Sequence, residues 1–283
     1  MAEQYKIKVR YNANEVGEVE GLIHSLNLNT VCAEANCPNI SECSKKRTAT
    51  FMILGKYCTR NCSFCNVQHN RPVPVDENEP TNVALAAKKL GLRHVVVTSV
   101  TRDDLSDGGA EQFRKTILEI KRICEGATVE VLIPDFLGNT AALDTVLSAS
   151  PDVLNHNVET VKELYHKVRP QAVYERSLDV LKYCKRTHPE ILTKTGFMVG
   201  LGESLEQIKQ LISDIKAAEV DILTIGQYLR PSKQHAELIR YATESDFLEY
   251  KRIAEEAGIK YVVSMPLARS SYKSYEALLA GRK

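Results

Sequence analysis

"KYCTRNCSFCNV", residues 56–67, places Cys58, Cys62 and Cys65 in the spacing C-x3-C-x2-C. Two neighbouring cysteines suffice for a disulfide and four close a tetrahedral zinc site, so a group of three asks for a different chemistry. Upstream, "VCAEANCPNISEC" (31–43) supplies a second triplet, Cys32, Cys37 and Cys43, spaced C-x4-C-x5-C. Six of the chain's 8 cysteines therefore lie between positions 32 and 65.

Composition narrows what such triplets can do. A chain of 283 residues, 43% hydrophobic, can fill a sizeable core as one α/β barrel or two small domains. Lys plus Arg at 37 against Asp plus Glu at 36 leaves a formal net charge of +1, which gives no global attraction to nucleic acid or to an anionic membrane. The opening residues carry acids and no apolar h-region, and no run of about 18 apolar residues occurs, so a cytoplasmic location is expected, with no membrane segment. Reducing cytosol keeps thiols free, which favours metal ligation over disulfides. Zinc would want four ligands, and beyond each triplet only His69 or distant residues stand ready. Three soft thiolates suit an iron–sulfur cluster with one iron open to another ligand.

Strands are expected at "TFMIL" (50–54), "HVVVTSV" (94–100), "TVEVLIP" (128–134), "DVLNHNV" (152–158), "LTKTGFMVG" (192–200) and "DILTIGQYL" (221–229), with a further one at "KYVVS" (260–264). Amphipathic helices over 82–90, 109–125, 174–185, 204–218 and 243–257 separate them. Short apolar strands alternating with helices imply a parallel α/β sheet, and "HNRPVPVDENEPTN" (69–82) reads as a loop. In such folds ligands gather beyond the C-terminal strand ends. There the sequence places the cysteine loop after the first strand, "TSVTRDD" after the second, "NHNVET" after the fourth and "GLGES" after the fifth.

The C-x3-C-x2-C loop with Phe64 before its last cysteine resembles the radical S-adenosylmethionine (SAM) signature. Together with the first triplet and the segments "VVVTSVTRDDLSDGGA", "LNHNVETV", "KTGFMVGLGES", "TIGQYLRPSKQH" and "PLARSSY", it resembles the lipoyl synthase family over residues 30–272. "PSKQH" and "SYKSYEALLAGRK" differ from the commoner forms of those segments. The resemblance implies a partial (βα)6 TIM-type barrel of the radical SAM type over 48–259. It also implies an N-terminal extension (1–47) carrying an auxiliary cluster and a C-terminal segment (260–283) carrying the RSSY motif.

By the same resemblance, Cys58, Cys62 and Cys65 hold the 4Fe-4S cluster that chelates SAM, and Cys32, Cys37 and Cys43 hold an auxiliary 4Fe-4S cluster. A serine of Arg269-Ser270-Ser271-Tyr272 completes the auxiliary set: Ser271, with Ser270 as its competitor. The implied activity is radical insertion of two sulfur atoms at carbons 6 and 8 of octanoyl-lysine on a lipoyl carrier protein (H-protein or lipoyl domain). It consumes two SAM per lipoyl group, with the auxiliary cluster as sulfur source. The implied partners are a flavodoxin- or ferredoxin-like electron donor and an iron–sulfur carrier for cluster repair, without nucleic acid or membrane.

Candidate SAM contacts are Phe64, Thr98, Ser99, Asn157, Glu159, Arg169, Gly200 and Gly202, with Arg102 and Asp103 either near SAM or an ordinary ion pair. Arg169 is a carboxylate clamp or a solvated helix-end residue. Basic "KKR" (45–47) is a docking element for an acidic carrier or a solvated surface, and Cys124 and Cys184 read as buried structural thiols. Other sulfur-inserting radical enzymes, a ferredoxin and a zinc-binding nucleic-acid module remain alternatives. Iron content, SAM cleavage and the identity of the thiolated product separate them.

Overall fold

A computed structural model describes residues 12–35, 37–45 and 49–282. Lys46 and Arg47 of the basic "KKR" lie outside them. The chain divides into two compact units. One contains residues 12–60 and 66–153, the other 61–65 and 154–282.

The first unit holds helix α1 (Ala13–Ser25), strand β1 (Asn29–Thr30), short helices α2 (Val31–Glu34) and α3 (Ile40–Lys45), and strand β2 (Thr50–Ile53). Helix α4 (Glu79–Leu90), strand β3 (His94–Ser99), helix α5 (Ala110–Ile123), strand β4 (Thr128–Leu132) and helix α6 (Thr140–Leu147) follow. β1 pairs antiparallel with β2 (Asn29 opposite Met52), while β2, β3 and β4 run parallel, with Thr50 opposite Val96 and His94 opposite Thr128.

Strand β5 (Val153–Asn155) lies where the chain passes from one unit to the other. Beyond it come helices α7 (Tyr165–Val168) and α8 (Tyr174–Thr187), strand β6 (Leu192–Val199) and helix α9 (Leu205–Ala217). Strand β7 (Ile222–Gln227), helix α10 (Glu244–Glu256), strand β8 (Tyr261–Ser264) and helix α11 (Ser274–Gly281) complete the chain. β6, β7 and β8 are parallel, with Lys194 opposite Ile222 and Ile222 opposite Tyr261. Within each unit strand order follows chain order, β1-β2-β3-β4 in the first and β6-β7-β8 in the second.

Strands β2, β3 and β7 are buried almost end to end, as expected of parallel strands covered by helices rather than facing water. Local chemistry sets the helix boundaries. Ser204 and Gln207 form a capping box that starts α9, and Thr243 and Asp246 form another at α10. α9 then buries Ile208, Leu211, Ile212 and Ile215, one face at three- and four-residue spacing, each side chain contributing about 1.5–3 kcal/mol.

All seven expected strands and five expected helices are present, and the strand at 260–264 is β8. Three longer helices were not expected from the sequence: α1, α6 and α11. α1 contains Gly17 and Gly21, each costing about 0.5–1 kcal/mol inside a helix, but Asn12 caps its start and Val16 and Ile23 are buried. α6 is only 8 residues long and starts where the Asn139 side chain accepts the backbone N–H groups of Ala141 and Ala142. Cys124 and Cys184 are buried as expected, and burial pushes the Cys184 thiol up to about 12.

Asp221, 2% exposed at the start of β7, ties α8, β6 and β8 together. Its carboxylate accepts from Lys185 Nζ (2.6 Å), Lys260 Nζ (2.9 Å) and the Thr193 N–H (2.9 Å). Burial by itself raises its pKa, but the two lysines and the Thr193 N–H outweigh burial and hold it below the ordinary value. Its contribution is therefore complete above the unfolded carboxyl's pKa of about 3.9 and is lost as pH falls through the lower folded value. Asp221→Asn is expected to cost about 2–4 kcal/mol near neutral pH. Urea titrations should show its gap from the parent protein closing below about pH 3.9; a constant gap would show that the charge is not the cause.

Candidate active site

The cysteine loop begins with a sharp exit from β2. Leu54 (φ 69°) and Gly55 (φ 89°) both take left-handed conformations, which costs about 1–2 kcal/mol at the leucine. Neighbouring side chains hold the turn. The Glu79 carboxylate accepts the Leu54 N–H at 3.1 and 2.9 Å and Gln112 Nε2 at 3.0 Å, while Arg102 Nη1 donates to the Leu54 carbonyl at 3.2 Å. Burial raises the pKa of Glu79, partly opposed by the N–H groups of Leu54 and Gly55 and by Gln112.

Beyond this turn the Cys58 N–H donates to the Gln68 carbonyl (2.9 Å), and Cys58 Sγ accepts backbone N–H groups from Arg60 (3.4 Å) and Thr101 (3.3 Å). Thr59 lies between them: its N–H and Oγ1 both donate to the Thr101 carbonyl, and Oγ1 accepts the Asp103 N–H, each at 3.0 Å. The Arg60 guanidinium forms a fork on Asp103 (2.7 and 2.9 Å) and reaches Asp135 Oδ1 (2.6 Å). Burial alone would lower the Arg60 pKa, but Asp103 and Asp135 more than compensate and raise it.

In the second unit, residues 61–65 are fixed along their backbone. The Asn61 N–H donates to Gln171 Oε1 (2.7 Å), the Ser63 N–H to the Val168 carbonyl (3.0 Å), Ser63 Oγ to the Lys167 carbonyl (2.9 Å), and the Ala236 N–H to the Ser63 carbonyl (2.7 Å). His235 Nε2 lies 3.1 Å from the Cys65 carbonyl, and a carbonyl only accepts, so that nitrogen carries the proton. Nδ1 of the same ring lies 2.8 Å from Ser232 Oγ. Phe64 packs against buried Val168, Leu201 and Tyr228, anchoring the loop just before Cys65.

The strand-end candidates divide into engaged and unsatisfied groups. Thr98 Oγ1 donates to the Leu132 carbonyl (3.0 Å), whereas Ser99 Oγ is buried without a partner among the described residues. The ordinary Arg102–Asp103 ion pair, the alternative to a contact near SAM, is not formed: Arg102 forks onto Asp104 (2.8 and 2.9 Å), and Asp103 is taken by Arg60. Asn157 Nδ2 donates to Glu159 Oε1 (3.0 Å), while Asn157 Oδ1 and Thr160 Oγ1 are buried without partners among the described residues. An unmade buried hydrogen bond costs about 1–3 kcal/mol, so these atoms mark where a polar ligand gains most.

Glu159 adopts φ 72° and its N–H and carbonyl join Gly196 and Met198 of β6. Burial raises its pKa, opposed first by Arg169, then by Asn157 and Arg269. Arg169 is not a solvated helix-end residue: it is buried, and its Nη1 donates to the carbonyls of Asn157 (3.0 Å) and Val158 (3.3 Å) and to Tyr165 Oη (2.9 Å). At Gly200 (φ 105°) the space a side chain would need is filled by this chain's own Gln227 and the Arg240 carbonyl. At Gly202 (φ 111°) an added Cβ would meet Ile239 Cγ1 at 3.5 Å, an ordinary contact.

The first triplet sits in one unit. Cys32 is on α2, the Cys37 N–H donates to the Cys32 carbonyl (3.0 Å), and Cys43 is on α3. Burial pushes the Cys32 thiol up to about 11, the Thr50 N–H opposes this, and the charges of Cys37 and Cys43 add to it, so the three sulfurs are close enough to feel one another. The RSSY residues form a turn closed by the Tyr272 N–H on the Arg269 carbonyl (2.9 Å), with half-buried Ser270 and Ser271 at its corners.

All six triplet cysteines are partly exposed. Among the described residues no three His, Cys, Asp or Glu side chains converge tightly enough to hold a single metal ion. In the first unit the partly exposed Cys58, with two backbone N–H donors on its Sγ, and the unsatisfied Ser99 Oγ suit a cluster ligand and a polar cosubstrate; in the second, partly exposed Cys62 and Cys65 and the unsatisfied Asn157 Oδ1 and Thr160 Oγ1 suit the same groups. Sequence reasoning missed the holding groups Glu79, Arg60, Asp135, Gln171 and His235. Only Arg60, lying between two cysteines, was signalled by its position.

Residues 52–215 match the Radical SAM superfamily. Solved structures agree on the fold. HydG, a maturase of the [FeFe]-hydrogenase, superposes with a TM-score of 0.60 at 14% identity, over 96% of this chain and 67% of that one. Methylornithine synthase (PylB) gives 0.55 at 14%, over 91% and 87%. The longer Streptococcus suis SuiB bound to S-adenosylmethionine gives 0.60 at 13%, and this chain spans 60% of its length. Fold and cysteine loop thus define a radical SAM protein, a class that works with a 4Fe-4S cluster and SAM.

Among curated proteins the chain is 54% identical to lipoyl synthase of Caldanaerobacter subterraneus subsp. tengcongensis, over 98% of this chain and 97% of that protein. It is 54% identical to lipoyl synthase of Rubrobacter xylanophilus, over 92% and 81%. The chain belongs to the lipoyl synthase family.

Proposed function

We infer that this chain is a radical SAM lipoyl synthase that inserts sulfur at carbons 6 and 8 of octanoyl-lysine on a lipoyl carrier protein. The observation that carries the reading is the joint presence of both cysteine triplets and the Arg269–Tyr272 turn in a chain that matches lipoyl synthases nearly end to end. The far end of an octanoyl chain has no acidic C–H, so acid–base side chains cannot activate it. When bound, the cluster and SAM supply the 5'-deoxyadenosyl radical chemistry that can.

This chain's residues then have distinct tasks. Cys58, Cys62 and Cys65 ligate the SAM-binding cluster, and Phe64 packs their loop in place. Ser99, Asn157 and Glu159 meet polar groups of SAM, with Thr98, Arg169, Gly200 and Gly202 shaping the strand ends that carry them. Cys32, Cys37 and Cys43, with Ser271, ligate a second 4Fe-4S cluster that serves as sulfur source. An oxygen ligand binds iron more weakly than a thiolate would, which suits a cluster that must give up sulfide.

Two SAM and one auxiliary cluster are used per lipoyl group, so the isolated protein should stop near one turnover. A flavodoxin- or ferredoxin-like protein supplies electrons, and an iron–sulfur carrier restores the cluster. The extension 1–47, barrel 48–259 and C-terminal segment 260–283 divide these duties. A cytoplasmic setting fits thiolate ligands, and no helix of the described residues is long and apolar enough to cross a membrane.

The test is anaerobic incubation of reconstituted protein with SAM, dithionite and an octanoyl-lysine peptide, with mass spectrometry of the products. Mono- and dithiolated octanoyl peptide are expected; 5'-deoxyadenosine without thiolated peptide would assign the chain to another substrate. In the same assay Ser271→Ala should lose thiolation while still cleaving SAM, and Ser270→Ala should retain both. The reverse would move the ligand to Ser270.

A further inference from the structure

We propose that Arg60 is a positioning residue that sets the reduction potential of the cluster held by Cys58, Cys62 and Cys65. It does so by pinning two backbone N–H donors on Cys58 Sγ and by organising a net negative charge beside it. The inference rests on the ligand assignment above and adds a role for a residue that binds neither iron nor SAM.

Arg60 follows a cluster ligand by two positions, yet its side chain is only 3% exposed and turns into the protein, toward Asp103 and Asp135. Burying a guanidinium costs several kcal/mol unless its donors are met. Here Nε and Nη2 are both used, in a bidentate fork on Asp103 and a further bond to Asp135, whose side chain is fully buried. The charge of the guanidinium is thus answered by carboxylates of this chain.

What the fork fixes is the geometry at sulfur. It holds residue 60 against residues 101–103, and the Thr59 hydroxyl, bonded to the Thr101 carbonyl and the Asp103 N–H, fastens the same two segments. The Arg60 and Thr101 N–H groups then sit 3.4 and 3.3 Å from Cys58 Sγ. Hydrogen bonds to a cluster's sulfurs stabilise its more negative, reduced form and raise its potential. One cation against two carboxylates leaves the triad a net charge of −1, which acts in the opposite sense.

The two contributions can be separated by variants built on a Cys32→Ala, Cys37→Ala, Cys43→Ala background, in which the only cluster expected is the one at 58, 62 and 65. After anaerobic reconstitution, iron and sulfide are counted and the cluster is titrated potentiometrically with EPR detection of the reduced state. Arg60→Gln removes the cation and loosens the donors. Its reduced-to-oxidised ratio at fixed poise should fall about tenfold, or about 59 mV for a one-electron couple. Thr59→Val, which changes no charge, should shift the ratio the same way by less. Asp135→Asn keeps an acceptor for Arg60 and removes one negative charge, so the ratio should rise. Arg60→Lys should recover part of the Arg60→Gln loss.

Should Arg60→Gln fail to load its cluster, the opposite shifts of Thr59→Val and Asp135→Asn still support the role, and parent-like potentials in both overturn it. An unchanged potential in Arg60→Gln at full cluster content overturns the role of Arg60 alone. Absence of any cluster from the background protein overturns the ligand assignment and this inference with it.

Discussion

Alanine at Cys58, Cys62 or Cys65 is expected to reduce 5'-deoxyadenosine formation to background, whereas alanine at Cys32, Cys37 or Cys43 should leave SAM cleavage intact and abolish thiolated product. The physical ground is ligand count. The 58–65 loop offers three thiolates and no fourth, so losing one leaves too few protein ligands to retain a cluster that also binds SAM. The first triplet lies on α2 and α3 and the stretch joining them, and its loss leaves the exit turn at Leu54 and the N–H donors on Cys58 in place. Liquid chromatography of 5'-deoxyadenosine beside mass spectrometry of the peptide reads both effects in one reaction. The reverse pattern would exchange the roles of the two triplets.

Gly226→Ala should disable the other end of the machinery. Gly226 lies in β7 opposite Met198, and a Cβ there would stand 2.4 Å from the Ala268 carbonyl oxygen and 3.3 Å from Arg269 Nη1. The nearer obstacle is backbone and cannot swing aside. Its segment is tied down by the Gln227 N–H on the Pro266 carbonyl, the Met265 N–H on the Ile225 carbonyl and the Ala268 N–H on the Met265 carbonyl. Relieving the overlap must move residues 266–269, at a cost of about 1–3 kcal/mol, and with them the turn that presents Ser270 and Ser271. A lowered melting temperature and a fall in dithiolated product larger than the fall in 5'-deoxyadenosine are expected. Unchanged thiolation would mean that the serine turn tolerates displacement and is not a ligand site.

Much of the scaffold was legible because its signals are local. Near-continuous apolar runs such as "HVVVTS" mark strands buried on both faces, and "SLEQ" and "TESD" announce α9 and α10 through their capping boxes. The cysteine spacings are local too. The groups that hold the site are not: Glu79 reaches back 25 residues to Leu54, Arg60 crosses 75 to Asp135, and His235 spans 170 to the Cys65 carbonyl. No spacing rule connects such pairs, and adjacency misleads, as when Arg102 passes over Asp103 for Asp104. α1 escaped notice because its two glycines mask a helix that capping and the burial of Val16 and Ile23 sustain.

The central claim is that one triplet serves radical formation and the other gives up sulfur. It is tested most directly by reconstituting the protein with isotopically heavy sulfide, removing excess sulfide, and running a single anaerobic turnover with SAM, dithionite and octanoyl-lysine peptide in buffer of natural isotopic composition. Both sulfur atoms of the dithiolated product should be heavy. Product bearing natural-abundance sulfur, or heavy product formed equally well by a Cys32→Ala variant, would contradict it.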